Sequence, residues 1–387
     1  MHDYADQLSE RQQSGLLRKL RQLPNGVIDL ASNDYLHLAR NPEVIETGVL
    51  ALKQFGAGGR SSRLVSGQMS PHQKLEYAIT QFKHTEAALV FPSGYHANLS
   101  AITALAQPND FIFCDKRNHA SLIDACRLAS SQKAIVRYFS RLKKLENLLK
   151  STFAGHPESR RFIVSDGVFS MDGDLAHVPE LLVLAERFDA LLLLDDAHGT
   201  GTLGATGHGT AEYFGVKNSP RIIHIGTLSK AIGGQGGFVA ASQQIIDWLI
   251  NQARPFIYTT ALNPASCASA QKSFEIIERE PQMAHQLRAI TEQLAHGLQE
   301  LGWNAVLQPS PIIPVIIGEA QDALKISERL LQHGIWCPAI RPPTVPAGKS
   351  RLRLTANLSL AESDIAKVLL TFKNISKSTF IPRTMHV

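Results

Sequence analysis

The chain has 387 residues, 44% of them hydrophobic and 19% charged, with a formal net charge of +5. This length favours two domains, and this composition excludes a disordered or fibrous protein. The mildly basic charge suits small anionic ligands such as phosphates, but no dense lysine and arginine block indicates nucleic-acid binding.

The cysteines and the N-terminus point to a cytoplasmic protein without a structural metal. The cysteines have no C-x-x-C spacing and so predict neither a zinc site nor a disulfide framework: Cys114, Cys126, Cys267 and Cys337. The first residues lack the basic and apolar regions of a signal peptide. No apolar run approaches the ~20 residues that a membrane span needs.

Seven short apolar segments, separated by helical stretches such as Val178–Arg187, predict buried strands. In chain order they are Ala87–Phe91, Phe111–Phe113, Ala134–Val136, Phe162–Val164, Ala190–Leu194, Arg221–Ile225 and Gly237–Ala240. Continuous apolar strands alternating with helices are typical of a mostly parallel sheet covered on both faces. The fold class is therefore α/β.

The pattern changes after about residue 280. A long amphipathic helix over Pro281–Leu301 precedes short apolar segments that predict strands of a smaller α+β domain: Asn304–Leu307, Pro314–Ile317, Gly334–Cys337 and Arg351–Leu354. We therefore predict a large domain over 41–280 and a small domain over 281–387, with residues 1–40 packing on the small domain.

Polar residues directly after strands deserve the closest inspection, because ligands of open α/β sheets bind beyond the carboxyl ends of the strands. The segment Asp195–Gly199 places two carboxylates and an imidazole there, which fits a helix cap network, a metal site using Asp195 and His198, or a ligand site. Lys230 follows the next strand, where desolvation would make its amine a nucleophile, although a lone lysine is more often a surface residue.

An anion site is predicted at the start of the helix that follows the Ala87–Phe91 strand. Ser93, Gly94 and Tyr95 lie at this helix N-terminus, where backbone N–H groups and the helix dipole favour anions, although a plain helix cap is the alternative. The segment Gly199–Gly204 matches G-x-G-x-x-G, but no acidic residue occurs from Tyr213 to Ile246 to bind a ribose. That absence disfavours an NAD-dependent dehydrogenase.

Together, an acid at one strand end, a lysine after the next strand and a phosphate-binding helix end match the needs of pyridoxal 5'-phosphate (PLP). The lysine would link to the cofactor, the carboxylate would keep the pyridine nitrogen protonated, and the helix end would hold the phosphate. This combination disfavours a non-catalytic binding module.

The chain resembles the α-oxoamine synthases, which are fold-type I PLP enzymes related to aspartate aminotransferase. The resemblance runs nearly end to end and is carried by six motifs: Ala31–Leu36, Ser61–Gly67, Ser165–Asp174, Asp195–Gly199, Gly226–Lys230 and Ile340–Pro346. It implies condensation of an amino acid with an acyl-CoA or acyl-carrier-protein thioester.

The resemblance also implies residue roles. Lys230 would be the cofactor lysine, Asp195 the partner of the pyridine nitrogen, and His119 a ring stacked on the cofactor. The remaining roles are contact with the phenolic oxygen by His198 and Ser170, phosphate binding by Ser93, Gly94, Tyr95 and Thr227, and carboxylate binding by Asn33, Arg341 and Arg353. Thr260 would reach the phosphate of the neighbouring subunit, which implies a homodimer with its active sites at the interface.

The Ile340–Pro346 motif favours the branch that joins L-alanine to a pimeloyl thioester in biotin synthesis. The branch that joins glycine to acetyl-CoA remains an alternative, as do the 5-aminolevulinate synthases and the serine palmitoyltransferases. Asn263-Pro264 and His208 depart from the family pattern, but neither is a proposed site residue.

Overall fold

The computed structural model describes residues 4–18, 20–216 and 219–376, so the outer ends of both predicted terminal segments lie outside the described residues. Its strands are β1 (Ile28–Asp29), β2 (Ala87–Phe91), β3 (Phe111–Asp115), β4 (Ile135–Phe139), β5 (Arg161–Asp166), β6 (Ala190–Asp195), β7 (Ile222–Thr227), β8 (Gly237–Ala241), β9 (Ile312–Gly318), β10 (Ile335–Trp336), β11 (Ala339–Ile340) and β12 (Ser350–Thr355).

The helices in chain order are α1 (Tyr4–Gln13), α2 (Pro42–Phe55), α3 (Ser70–Lys83), α4 (Gly94–Leu105), α5 (Ala120–Ser131), α6 (Leu142–Gly155), α7 (Val178–Arg187), α8 (Thr210–Tyr213), α9 (Gln243–Gln252), α10 (Arg254–Ile257), α11 (Pro264–Arg279), α12 (Gln282–Glu300), α13 (Ala320–Gln332) and α14 (Glu362–Ser376). A short 3-10 helix covers Leu38–Arg40 and a π-helical turn covers Arg63–Gly67.

The chain divides into two compact units. The large unit contains Asp34–Ser170 and Asp174–Gln286, and the small unit contains the remaining described residues. The divisions thus fall after Asn33 and after Gln286, a few residues from the predicted positions at 40 and 280. The segment Met171–Gly173 belongs to the small unit, which the sequence did not predict.

The large unit contains a seven-stranded sheet in the order β2-β8-β7-β6-β5-β3-β4. All seven predicted strands are confirmed, and the strands pair in parallel except β8, which is antiparallel to both β7 and β2. Alternate side chains of one strand enter opposite cores, as Ile163 and Val164 of β5 show. The sheet is therefore covered by helices on both faces, as its continuous apolar strands predicted.

In the small unit, β9 lies between β12 and an irregular segment, and β1 pairs with β10. The prediction of a strand over Asn304–Leu307 was wrong, because only Ala305 pairs there, in an isolated bridge with Val315. Strands β1, β10 and β11 have two residues each, which is too short to give a period-2 pattern. The β1–β10 pair attaches the N-terminal segment to this unit.

Candidate active site

A cavity of about 220 Å³ lies in the large unit where β5, β6 and β7 end. Most of the predicted site residues line it: Ser93, Gly94, Tyr95, His119, Ser170, Asp195, His198, Thr227 and Lys230. Four further polar side chains in the lining were not predicted, and they are Asn98, Ser121, Asp166 and Ser229. The cavity therefore brings together groups from three strand ends and two helix starts.

His198 connects Lys230 to Tyr35 through two hydrogen bonds. Its Nζ lies 3.0 Å from His198 Nε2, and the other ring nitrogen of His198 lies 2.6 Å from the Tyr35 hydroxyl. Tyr35 is fully buried and lies in the Ala31–Leu36 motif, although no role was predicted for it. This series of hydrogen bonds gives the lysine amine a neighbour that can accept and return a proton.

Asp195 ends β6 and is only 5% exposed. Its Oδ2 accepts a hydrogen bond of 2.6 Å from Asn98 Nδ2, and its Oδ1 accepts one of 3.0 Å from the Ala197 N–H. These donors reduce the cost of burying a carboxylate. The remaining acceptor capacity is available to a protonated ring nitrogen in the cavity.

His119 is held at the start of α5 by a second buried carboxylate. The His119 N–H donates to Asp166 Oδ2 at 2.7 Å, and Asp166 lies at the end of β5. Burial, reinforced by the charge of Asp195, raises the pKa of Asp166 well above its usual range. Desolvation, reinforced by Lys230 and opposed by Asp195, lowers the pKa of His119. A lowered pKa favours a neutral imidazole at this position.

The N-terminus of α4 lies at the cavity, where the sequence predicts an anion site. Ser93 caps the helix by accepting a hydrogen bond from the His96 N–H at 3.2 Å. A Cβ on Gly94 would come within 3.2 Å of the Thr227 side chain, so the backbone approaches Thr227 closely only because residue 94 is glycine. The first N–H groups of a helix have no partner within the helix and bind anions readily.

Asp196, which follows Asp195 in the chain, belongs to a buried ion pair and not to the cavity lining. Its Oδ2 lies 3.0 Å from Lys83 Nζ, and both side chains are almost fully buried. The Thr210 N–H also donates to this carboxylate, at 3.2 Å. The ion pair therefore joins the end of α3 to the loop that precedes α8, and Asp196 does not line the cavity.

The three predicted carboxylate-binding residues lie in the small unit. Arg353 is 7% exposed and donates to Asn33 Oδ1 at 3.4 Å and to Thr355 Oγ1 at 3.2 Å. The Arg341 guanidinium instead contacts the Gly15 carbonyl, and burial together with neighbouring Arg18 lowers its pKa. The structure thus brings Arg353 and Asn33 together but gives Arg341 different neighbours.

Thr260 is exposed and does not line the cavity of its own chain.

Across residues 4–18, 20–216 and 219–376, no group of three or more His, Cys, Asp or Glu side chains is arranged to hold a metal ion. The described part of the chain also contains no helix long and apolar enough to cross a membrane.

Comparison with known proteins identifies the class. The family model for class I and II aminotransferases matches residues 25–368. The 8-amino-7-oxononanoate synthase 2 of Bacillus subtilis is 43% identical, over 97% of this chain and 98% of its own length. The enzyme of the same activity from Lysinibacillus sphaericus is 41% identical, over 95% of this chain and 96% of its own length.

Solved structures agree with this class. A serine palmitoyltransferase from Sphingomonas wittichii has a TM-score of 0.89 at 28% identity and covers 97% of both chains. An 8-amino-7-oxononanoate synthase from Francisella tularensis has a TM-score of 0.75 at 25% identity, covering 92% of this chain and 99% of its own.

The chain therefore belongs to the class I and II aminotransferase family, and it uses PLP as its cofactor. Within this family it is an α-oxoamine synthase. The cavity fits the cofactor, since it combines a lysine amine, a buried carboxylate and the N-terminus of a helix.

Proposed function

We propose that this enzyme condenses L-alanine with a pimeloyl thioester to form 8-amino-7-oxononanoate, a step of biotin synthesis in the cytoplasm. A carbon–carbon bond forms between the alanine Cα and the thioester carbonyl carbon, and the carbon–sulfur bond breaks to release the thiol. The alanine carboxylate leaves as CO2, and a proton replaces it. The observation that supports this chemistry most is the cavity that joins Lys230, His198 and Asp195.

PLP, when bound to the amino acid, withdraws electrons from its Cα and makes the Cα–H acidic. On this proposal Lys230 removes and returns the proton at Cα, and His198 shares a proton with the lysine amine across the 3.0 Å contact. Asp195 accepts a hydrogen bond from the ring nitrogen of the cofactor and keeps it protonated.

The other residues hold the reactants. The α4 N-terminus and Thr227 would bind the phosphate, His119 would pack on the ring, and His198 and Ser170 would contact the phenolic oxygen. Arg353 and Asn33 bind the substrate carboxylate, because the paired N–H groups of a guanidinium match a carboxylate. Arg341 is the third carboxylate-binding residue on the sequence resemblance.

The substrate assignment rests on relatives of 40–44% identity, whereas the similar serine palmitoyltransferase structures share 27–29% identity with this chain at TM-scores up to 0.89. Backbone similarity reflects the common fold, while overall identity also includes the substrate-facing side chains. For this reason the sequence relatives carry more weight. Serine palmitoyltransferase activity is nevertheless a required comparison in the test.

Thiol release by the purified holoenzyme tests this proposal. We expect release with pimeloyl-CoA and L-alanine, with a kcat/KM at least about 100-fold above that of acetyl-CoA with glycine or palmitoyl-CoA with L-serine, which corresponds to about 2.7 kcal/mol of discrimination. Mass spectrometry of the product checks that CO2 has been lost. Preferential release with either other pair would contradict the substrate assignment.

We also propose that the enzyme is a homodimer and that Thr260 contacts the cofactor phosphate of the partner subunit. The π-helical turn Arg63–Gly67 exposes Leu64 and Val65, at 52% and 78%. This turn lies beside the segment around Thr260, where Tyr258 is 72% exposed and the Ala261 N–H donates to Ser61 O at 2.9 Å. The resulting exposed apolar surface supports a subunit interface next to Thr260.

A charge placed in this surface tests the dimer. We expect Val65→Asp to raise the dimer dissociation constant by at least about 100-fold, because burying an unpaired carboxylate costs about 3 kcal/mol or more. Light scattering after size exclusion measures the change. Val183→Asp on α7 is the matched control, since Val183 is also exposed at 59%. A monomeric wild-type protein, or an unaffected Val65→Asp dimer, would contradict the proposal.

A further inference from the structure

Asn98 and Ser121 form a continuous hydrogen-bonded path between Asp195 and His119. Asn98 lies on the second turn of α4, and its Nδ2 is 2.6 Å from Asp195 Oδ2 and 2.8 Å from Ser121 Oγ. The same Ser121 Oγ is 2.7 Å from His119 Nδ1. Asn98 and Ser121 are 2% and 1% exposed, so the path is buried between α4, α5 and β6.

The Asp195 carboxylate determines the orientation of the Asn98 amide. An ionised carboxylate oxygen only accepts hydrogen bonds, so the amide NH2 group must face it. In the described part of the chain, the Asn98 carbonyl oxygen is buried without a hydrogen-bond partner. Leaving a buried carbonyl unsatisfied is costly, and such groups in native structures call for an explanation. The explanation here is that the Asn98 amide donates one hydrogen to Asp195 and the other to Ser121, and this orientation turns its carbonyl oxygen away from any donor among the described residues.

The direction of hydrogen donation can be followed along this path. One hydrogen of Asn98 Nδ2 goes to Asp195 and the other goes to Ser121 Oγ, so the serine oxygen acts as an acceptor there. The hydroxyl hydrogen of Ser121 is then directed to His119 Nδ1. The Ser121 backbone N–H also donates to this Nδ1, at 3.2 Å. Two donors converge on Nδ1, and this nitrogen therefore carries no hydrogen.

We infer that Asn98 and Ser121 are positioning residues that tie His119 to Asp195 and hold the imidazole as the neutral tautomer with its hydrogen on Nε2. His119 is then a hydrogen-bond donor toward the cavity and not a general base. Ser121 holds the ring at Nδ1, and Asp166 holds the backbone N–H of His119. This inference rests on the proposed function only in taking the cavity as the cofactor and substrate site.

Charged groups around His119 act in opposite directions. Asp195 and Asp124 favour the imidazolium, whereas Lys230 and desolvation oppose it, and Asp166 contacts the backbone of His119. Because the largest of these effects is desolvation, the pKa of His119 is lowered. The two donors at Nδ1 require a neutral imidazole, and the surroundings of His119 favour the same protonation state.

Nitrogen NMR of the holoenzyme labelled with 15N-histidine tests the inference. The His119 signal is assigned by its loss in His119→Asn. We expect the Nε2–H tautomer in the wild type throughout about pH 5 to 8, where an unperturbed histidine titrates. An Nδ1–H tautomer, or an imidazolium forming within this range, would overturn the inference.

Two variants distinguish a role in positioning His119 from a general contribution to the stability of the fold. Ser121→Ala removes one oxygen atom, and Asn98→Leu removes both amide donors at similar volume. We expect either change to give a mixture of His119 tautomers and to lower kcat about 10- to 100-fold, with KM changed less than about 3-fold. Ser130→Ala, an exposed position on the same helix α5, is the control.

The outcomes distinguish this inference from the proposed substrate. If Ser121→Ala leaves both the tautomer and kcat unchanged, the positioning role is wrong. If the tautomer changes as expected while pimeloyl-CoA fails as a substrate in the wild type, the inference holds and the substrate assignment fails. Should Asn98→Leu not fold, the smaller Ser121→Ala change decides the result alone.

Discussion

Replacing Lys230 with alanine should lower the rate of thiol release by at least about 1,000-fold. The change removes the only amine lining the cavity among the described residues, and a positioned acid–base group contributes about 10²- to 10⁴-fold to a rate. Steady-state kinetics of the variant, compared with Lys116→Ala at an exposed position after β3, measure this loss.

Borohydride reduction identifies the same lysine independently of substrate. After reduction of the wild-type holoenzyme and digestion, we expect the cofactor on the peptide that contains Lys230. In Lys230→Ala no peptide should carry it. Labelling of any other lysine in the wild type, or retained turnover in the variant, would show that Lys230 has been assigned wrongly.

Replacing Asp196 with alanine should destabilise the fold by about 3–5 kcal/mol, because it leaves the Lys83 ammonium buried without its partner. Urea unfolding of the cofactor-free protein measures the change. Asp195→Ala is the matched comparison one residue away. We expect it to lower kcat at least about 100-fold while reducing the free energy of unfolding much less, since Asp195 accepts two hydrogen bonds and, among the described residues, forms no ion pair.

The double variant Lys83→Met with Asp196→Ala provides a further check. It removes both buried charges, so it should be more stable than Asp196→Ala alone. Equal destabilisation by the Asp195 and Asp196 variants would contradict the assignment of a structural role to Asp196 and a catalytic role to Asp195.

Residues that depend on local pattern were predictable from the sequence. The seven strands of the large sheet are continuous apolar runs, and Asp195 and Lys230 follow two of them, so the strand-end rule found both. Asp166 also ends a strand, and the same rule applied to the Ser165–Asp174 motif would have found it. The strand expected at Asn304–Leu307 failed because an apolar segment beside a sheet need not pair along its length.

Residues that act through tertiary contacts were not predictable in this way. Asn98 meets Asp195 across 97 residues, and Tyr35 meets His198 across 163. Asn98 lies within a helix, where an isolated amide carries no periodic or spacing signal. His119 received a role only through resemblance to the family, and so did the contact of His198 with the cofactor. Their hydrogen-bond partners, which determine protonation and tautomer, required the folded structure.

The antiparallel strand β8 has a consequence for how the lysine moves. Lys230 lies on the connection between β7 and β8, which main-chain hydrogen bonds close on itself, from Leu228 N–H to Gly236 O at 2.9 Å and from Gly233 N–H to Lys230 O at 2.8 Å. The backbone at Lys230 is therefore held by main-chain hydrogen bonds, whereas its four-carbon side chain can rotate. With the cofactor bound, rotation about these side-chain bonds would carry the amine between the position that it needs to hold the cofactor and the position that it needs to act as a base.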